Sequence, residues 1–222
     1  MAATLSVLFI SYILGSIPSA IWVGKGLKGV DVREHGSGNA GTTNTFRVLG
    51  VPFGITVFVL DFMKGFASSF WLSSVAFLWF NGPLAPPNWD VESFLSIASG
   101  VSAVIGHMFP IFAGFKGGKG AATACGMLFG IEPVSISISF ALFGLIIWAT
   151  RYVSLASIMA TALYPITLLV MRYGLDIFVD GSVIIFAAII AFGIIYKHKS
   201  NIQRLIDGTE SKVGEKARLA KQ

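Results

Sequence analysis

Charge is missing from long stretches of this chain, and that absence restricts its fold more than any motif. Residues 1–24, 93–115, 121–131, 134–150, 152–171 and 181–196 contain no Asp, Glu, Lys or Arg, and residues 48–80 contain only Asp61 and Lys64. A helix needs about 20 apolar residues to cross a bilayer, or roughly 17 at the short end. Seven helical segments are therefore expected, the fourth (about Gly117 to Ile131) unusually short. Composition agrees: 55% of the 222 residues are hydrophobic and 12% are charged, whereas soluble domains carry roughly 25% charged residues. With a mean hydropathy of +0.77, the chain reads as an all-α, polytopic integral membrane protein.

The first 24 residues lack the basic start of a secretory signal, and SIPSA is a poor cleavage site, so this segment reads as a retained transmembrane helix. Cys125, alone in an apolar stretch, excludes an internal disulfide and a cysteine metal cluster. It reads as a small buried side chain. No internal repeat or low-complexity linker divides the chain. One domain is expected, helical over about 1–208 with a polar cytoplasmic tail at 209–222.

The connections assign sidedness. Segment 25–47 carries Lys25, Lys28, Arg33 and Arg47, whereas 81–92 carries Asp90 and Glu92 and no base. Lys116 and Lys119 mark the next turn, Glu132 the one after, and Arg151 the one after that. Seven of the sixteen basic residues fall in the last 26 positions. Basic and acidic connections thus alternate, and the positive-inside rule puts the N-terminus outside and the C-terminus in the cytoplasm. The basic excess marks membrane orientation, and no nucleic-acid partner is expected.

GSGNAGTTN, residues 36–44, satisfies GxGxxG through Gly36, Gly38 and Gly41. That fingerprint binds a dinucleotide only inside a βαβ unit, and here it joins two membrane segments. The underlying physics survives. Glycines let backbone N–H groups approach an anion, and Ser37, Asn39, Thr42, Thr43 and Asn44 add donors and acceptors, closed by Arg47. The plainer alternative is a solvated turn.

GHMFPIFAGFKGGKGAAT, residues 106–123, is not a P-loop. Three residues rather than four separate Gly114 from Gly118, and Gly120 stands where Ser or Thr would hold magnesium. GGKG does open the short fourth helix, where free N–H groups and the helix dipole attract phosphate and Lys119 supplies full charge. His107 in the same stretch reads as a helix-packing residue ahead of a catalyst. In TRYVSLAS (150–157), Ser154 and Ser157 share a helix face. In YKHKSNIQRLIDGTE (196–210), His198, Asn201 and Arg204 recur every third residue, and Asp207-Gly208 marks a helix end before Glu210. Asp61 and Lys64, three apart inside a span, can neutralise each other or serve function. All four polar stretches fall on one face of the membrane, where an anionic soluble ligand could meet a lipid-like one.

HGSGNAGTTNTFR, GHMFPIFAGFKGGKGAAT, TRYVSLAS and YKHKSNIQRLIDGTE together resemble the bacterial acyl-phosphate:glycerol-3-phosphate acyltransferase family, in order and over almost the full length. Thr42 departs from it, standing where the family often has Ala. The resemblance implies a seven-helix enzyme of the bacterial inner membrane with its active site at the cytoplasmic face. It implies transfer of a fatty acyl group from acyl phosphate to glycerol 3-phosphate, giving lysophosphatidic acid and phosphate, the first step of phospholipid biosynthesis. No cofactor or metal is expected. The implied partners are the two substrates, membrane lipid and, transiently, the enzyme that makes acyl phosphate.

Carried across residue by residue, the resemblance makes Ser37, Arg47, Lys119 and Ser157 (in preference to Ser154) phosphate-clamping residues, and it places Asn39, Thr43, His198 and Asn201 in the site. Backbone amides at Gly117–Gly120 would assist, with Gly117 and Gly118 among the substrate-binding residues. Ser37, Lys119 and His198 are the expected catalytic residues. His198 is the best general base by pKa type, ahead of His107, and a substrate phosphate taking the hydroxyl proton remains the alternative. The competing class is a transporter of an organic phosphate anion, which would place polarity at the midplane.

Overall fold

Pro18 breaks the first apolar segment, because it has no N–H to donate and disfavours a helical residue before it. In the computed structural model, which describes residues 2–79, 85–87, 89–210 and 212, helix α1 (Ala2–Gly15) therefore stops and α2 (Ser19–Lys28) restarts. A broken helix frees backbone carbonyls, which must find partners inside a membrane. Lys64 Nζ donates to the Ile17 carbonyl at 2.6 Å and to Asp61 Oδ1, also at 2.6 Å. The charged pair of the second segment thus closes the break in the first.

A short α3 (Thr42–Leu49) precedes α4 (Val51–Phe66), which runs through a π-helical stretch, Ala67–Leu72, into α5 (Ser73–Trp79). Within that stretch the Ser69 hydroxyl lies 3.0 Å from both the Gly65 and Met127 carbonyls, which share its one proton. Helix α6 (Val91–Met108) begins at Asp90, whose side chain accepts the Ser93 N–H. It is followed by α7 (Ala121–Ile131), α8 (Pro133–Thr150), α9 (Val153–Gly174), α10 (Gly181–Lys197) and α11 (Lys199–Ile206). No strand occurs among the described residues.

Five of the described stretches are long and apolar enough to cross a membrane: Thr4–Lys28, Val51–Leu78, Val91–Ala113, Pro133–Thr150 and Val153–Gly174. A sixth follows if α10 and α11, which meet at 56°, are taken together. Helix α7 has 11 residues, about 16 Å of rise, against a hydrocarbon core of about 30 Å. Large apolar side chains such as Trp148 (81% exposed) and Phe192 (74%) face outward, as expected where lipid is the solvent.

The described chain forms two compact units, one up to Pro133 and one from Val134 onward. In the first, glycines set how closely helices approach. A methyl on Gly65 of α4 would strike the Thr123 carbonyl of α7, and one on Gly126 of α7 the Phe62 carbonyl of α4. Gly15 of α1 and Gly106 of α6 likewise sit against each other's helix backbones. Small residues are how membrane helices pack without a hydrophobic driving force between them. This packing brings the end of α6, the middle of α4 and the start of α7 together. In the second unit α9 packs against both α10 and α11. The tail beyond 210, apart from Lys212, lies outside the described residues.

Candidate active site

The loop before α3 owes its shape to Asn44, a residue only 1% exposed. Its Nδ2 donates to the Val32 and His35 carbonyls at 2.7 and 3.0 Å, and its Oδ1 accepts the Ser37 N–H at 2.8 Å. Gly36 lies tightly against the Asn44 side chain at φ +62°, and Gly38 sits at φ +70°. Both are left-handed conformations that glycine adopts cheaply. Asn44 thus spends its hydrogen-bonding groups on the loop itself, where sequence alone offered it as a ligand donor.

Ahead of that loop Asp31 accepts from Arg33 Nε and Nη2 at 3.1 and 2.8 Å, and Lys25 Nζ lies 3.0 Å away. The Arg33 hydrogen bond holds the Asp31 carboxyl well below the usual carboxylate range, and the same contact raises Arg33. Arg33 Nη1 also reaches the Ala113 carbonyl at 3.5 Å, joining this loop to the turn before the GGKG stretch.

Gly117 and Gly118 stand against the end of α6. Their N–H groups donate to the Met108 and His107 carbonyls, both at 3.2 Å. A methyl on Gly117 would meet the His107 carbonyl, and one on Gly118 would meet His107 Nε2 and the Ala40 carbonyl. This corrects the expectation that amides across Gly117–Gly120 are free for an anion: two of them are already engaged. These glycines allow close approach, while Gly120 (φ +79°) turns the chain into α7.

Between the two loops lies a pocket of about 270 Å³, lined among others by Ser37, Asn39, Thr43, Arg47, Lys119 and Asp61. That is near the small end of ligand pockets, which start at roughly 300 Å³. Thr42, Asn44, His107 and the Gly120–Ala122 backbone complete much of the wall. Two helices begin here, α3 after Gly41 and α7 after Gly120, and neither has a side-chain cap. Their first-turn N–H groups and dipoles favour an anion, and the Thr42 hydroxyl has no partner among the described residues. Arg47 and Lys119 are exposed at the mouth, and neither is ion-paired with a carboxylate among the described residues. The deep wall is different. Asp61 is 1% exposed and His107 7%, with His107 Nδ1 3.6 Å from Asp61 Oδ1.

Lys64, on the far side of that carboxylate, borders a second cavity of about 460 Å³ lined by apolar side chains including Leu14, Trp22, Leu60, Met63 and Trp71. The Asp61–Lys64 pair therefore stands between a polar pocket and an apolar one.

Of the residues expected from sequence, Ser37, Asn39, Thr43, Arg47 and Lys119 come together in the polar pocket. Ser157, His198 and Asn201 belong to the second unit. There the Ser157 hydroxyl donates to the Val153 carbonyl at 2.8 Å. His198 stands at the bend between α10 and α11, with Nδ1 2.8 Å from the Ile194 carbonyl. That contact requires the proton on Nδ1 and leaves Nε2 as the acceptor of a neutral ring. The Asn201 amide donates to Glu210 Oε1 at 2.8 Å, and Arg204 Nε to Oε2 at 2.7 Å. Asn201, and with it Arg204, holds Glu210 below its ordinary range.

Sequence reasoning left Asp61 undecided and ranked His107 as a packing residue, yet both line the pocket. The available signal was the intramembrane charge itself.

Comparison with known proteins agrees in family and in fold. The family model described as glycerol-3-phosphate acyltransferase matches residues 5–208. A protein of Chlorobium phaeovibrioides named glycerol-3-phosphate acyltransferase is 45% identical, over 96% of this chain and 97% of its own. One of the same name from Salinibacter ruber is 45% identical, over 93% and 91%. A crystal structure of PlsY (YgiH), an integral membrane glycerol 3-phosphate acyltransferase, in its glycerol 3-phosphate form, is 40% identical with a TM-score of 0.69, covering 95% of this chain and 96% of that one. A lysophosphatidic acid form of PlsY matches with a TM-score of 0.68 at 40% identity, over 95% of each chain.

Proposed function

This chain belongs to the glycerol-3-phosphate acyltransferase family, and on that premise we propose that it moves a fatty acyl group from acyl phosphate to the sn-1 hydroxyl of glycerol 3-phosphate. The products are lysophosphatidic acid and phosphate. The observation that carries the reading is the small polar pocket with two uncapped helix starts and two cations that are unpaired among the described residues, beside an apolar cavity. A phosphate monoester fits the first and a fatty chain the second. The transporter reading is not favoured, since near-full-length relatives are named as acyltransferases.

In this reading Arg47, Lys119, Ser37 and the α3 and α7 amides hold the acceptor's phosphate, with Asn39 and Thr43 beside it. The family resemblance also assigns Ser157, His198 and Asn201 to substrate binding. The acceptor hydroxyl oxygen bonds to the acyl carbon, the bond from that carbon to the phosphate oxygen breaks, and inorganic phosphate leaves. The donor is already activated, so positioning and charge stabilisation are the main requirements. His198 Nε2 takes the hydroxyl proton. The enzyme acts as one seven-helix domain, N-terminus outside, at the cytoplasmic face of the bacterial inner membrane, and it meets the acyl-phosphate-producing enzyme transiently.

The experiment uses purified full-length protein in lipid cubic phase with glycerol 3-phosphate and either palmitoyl phosphate or palmitoyl-CoA. Lysophosphatidic acid should form from the phosphate donor alone. Product from the CoA thioester alone would overturn the donor, and none from either would overturn the activity.

A further inference from the structure

The polar pocket has two chemically different parts. Most of its lining donates or is cationic, whereas Asp61 is the one carboxylate among the residues that form it. One oxygen of that carboxylate is engaged: Oδ1 receives Lys64 Nζ and faces His107 Nδ1. The other, Oδ2, is buried with no hydrogen-bond partner among the described residues. A buried carboxylate oxygen without a partner is costly, and this one belongs to a wall of the pocket. Its environment selects what completes it. A phosphate oxygen brings only lone pairs and charge, so Oδ2 calls for a neutral O–H donor.

We infer that Asp61 Oδ2 is the subsite for the secondary hydroxyl of the acceptor. The inference rests on the glycerol 3-phosphate reading above, which supplies a ligand with one phosphate and two hydroxyls. The reacting hydroxyl must give up its proton to the general base assigned above, whereas a hydroxyl held by a carboxylate already paired with Lys64 keeps its proton. The hydroxyl at Asp61 is therefore the one that is not acylated. The ion pair with Lys64 removes the carboxylate's net charge, so it does not drive away the phosphate bound at Arg47 and Lys119. Phosphate at the mouth, secondary hydroxyl at the deep wall and primary hydroxyl toward the donor make a three-point fit. Such a fit selects which oxygen is acylated.

The test compares two acceptors, glycerol 3-phosphate and 3-hydroxypropyl phosphate, which lacks only the secondary hydroxyl, with palmitoyl phosphate as donor. A hydrogen bond to a charged group predicts that the native protein prefers glycerol 3-phosphate by roughly 10- to 100-fold in kcat/KM. In Asp61→Asn that preference should collapse to within about threefold, because the remaining acceptor is neutral and its amide presents the wrong polarity. A role confined to folding would lower both acceptors equally and keep the preference, which would overturn the inference. So would equal use of both acceptors by the native protein, the result expected if water fills the site. Asp61→Asn strands Lys64, so the neutral pair Asp61→Asn/Lys64→Gln is measured alongside. Even if neither variant folds, equal use of the two acceptors by the native protein still overturns the inference. Failure of the native protein on both acceptors would refute the activity itself, an outcome distinct from equal turnover of the two.

Discussion

Replacing Asn44 with Ala should disable the acceptor loop while leaving the helices standing. The change deletes three hydrogen bonds, from Nδ2 to the Val32 and His35 carbonyls and from the Ser37 N–H to Oδ1. At a net worth of about 1 kcal/mol each, the loop's ordered form loses roughly 3 kcal/mol. That is about a hundredfold in its favour over open forms. Apparent acceptor affinity falls in proportion to the competent fraction, so KM for glycerol 3-phosphate should rise by roughly 10- to 100-fold. The melting temperature should move little, because the loop opens locally. Asn44→Asp should do no better: it keeps an acceptor for Ser37 but turns a second oxygen toward two carbonyls. Steady-state kinetics across acceptor concentration, with a thermal melt in the same detergent, reads both quantities. A KM within twofold of native for Asn44→Ala would refute the reasoning.

Lys119→Ala should lower kcat/KM at least a hundredfold with an unchanged melt, since Lys119 is exposed and has no ion-pair partner among the described residues; an unfolded variant would contradict this. Gly118→Ala should inactivate the protein by driving a methyl into His107 Nε2, whereas Gly144→Ala, with open space around it, should be neutral in the same assay. His198→Ala should cut kcat far more than KM; if most turnover persists with near-normal binding, a substrate phosphate takes the proton. Asp31 has a folded pKa below its unfolded one, so the stability it contributes is present above the ordinary carboxylate range. That stability is lost as pH falls through the lower folded value, and Asp31→Asn should flatten this acid limb of the melting profile.

The membrane class and the all-helical fold were legible because charge is excluded from whole segments. The polar pocket was legible in part, because Ser37, Arg47 and Lys119 stand beside glycines that bring backbone to an anion. What the sequence could not show was pairing at a distance. Pro18 signals a break in the first segment, but nothing local says that Lys64, 47 positions after Ile17, takes the freed Ile17 carbonyl. Gly117 and Gly118 looked like phosphate-facing amides, and only their contact with His107 reveals them as packing residues. Asn44 has the chemistry of a ligand donor, yet its three bonds are internal to the loop. Asp61 is a similar case: its meaning depends on which oxygen Lys64 leaves over.

The most direct test of the central claim is equilibrium binding of glycerol 3-phosphate to the purified protein by calorimetry, with no acyl donor present. The pocket between α3 and α7 predicts saturable one-to-one binding that weakens at least tenfold in Arg47→Ala and in Lys119→Ala, each still folded. Binding of native strength in both variants would contradict it.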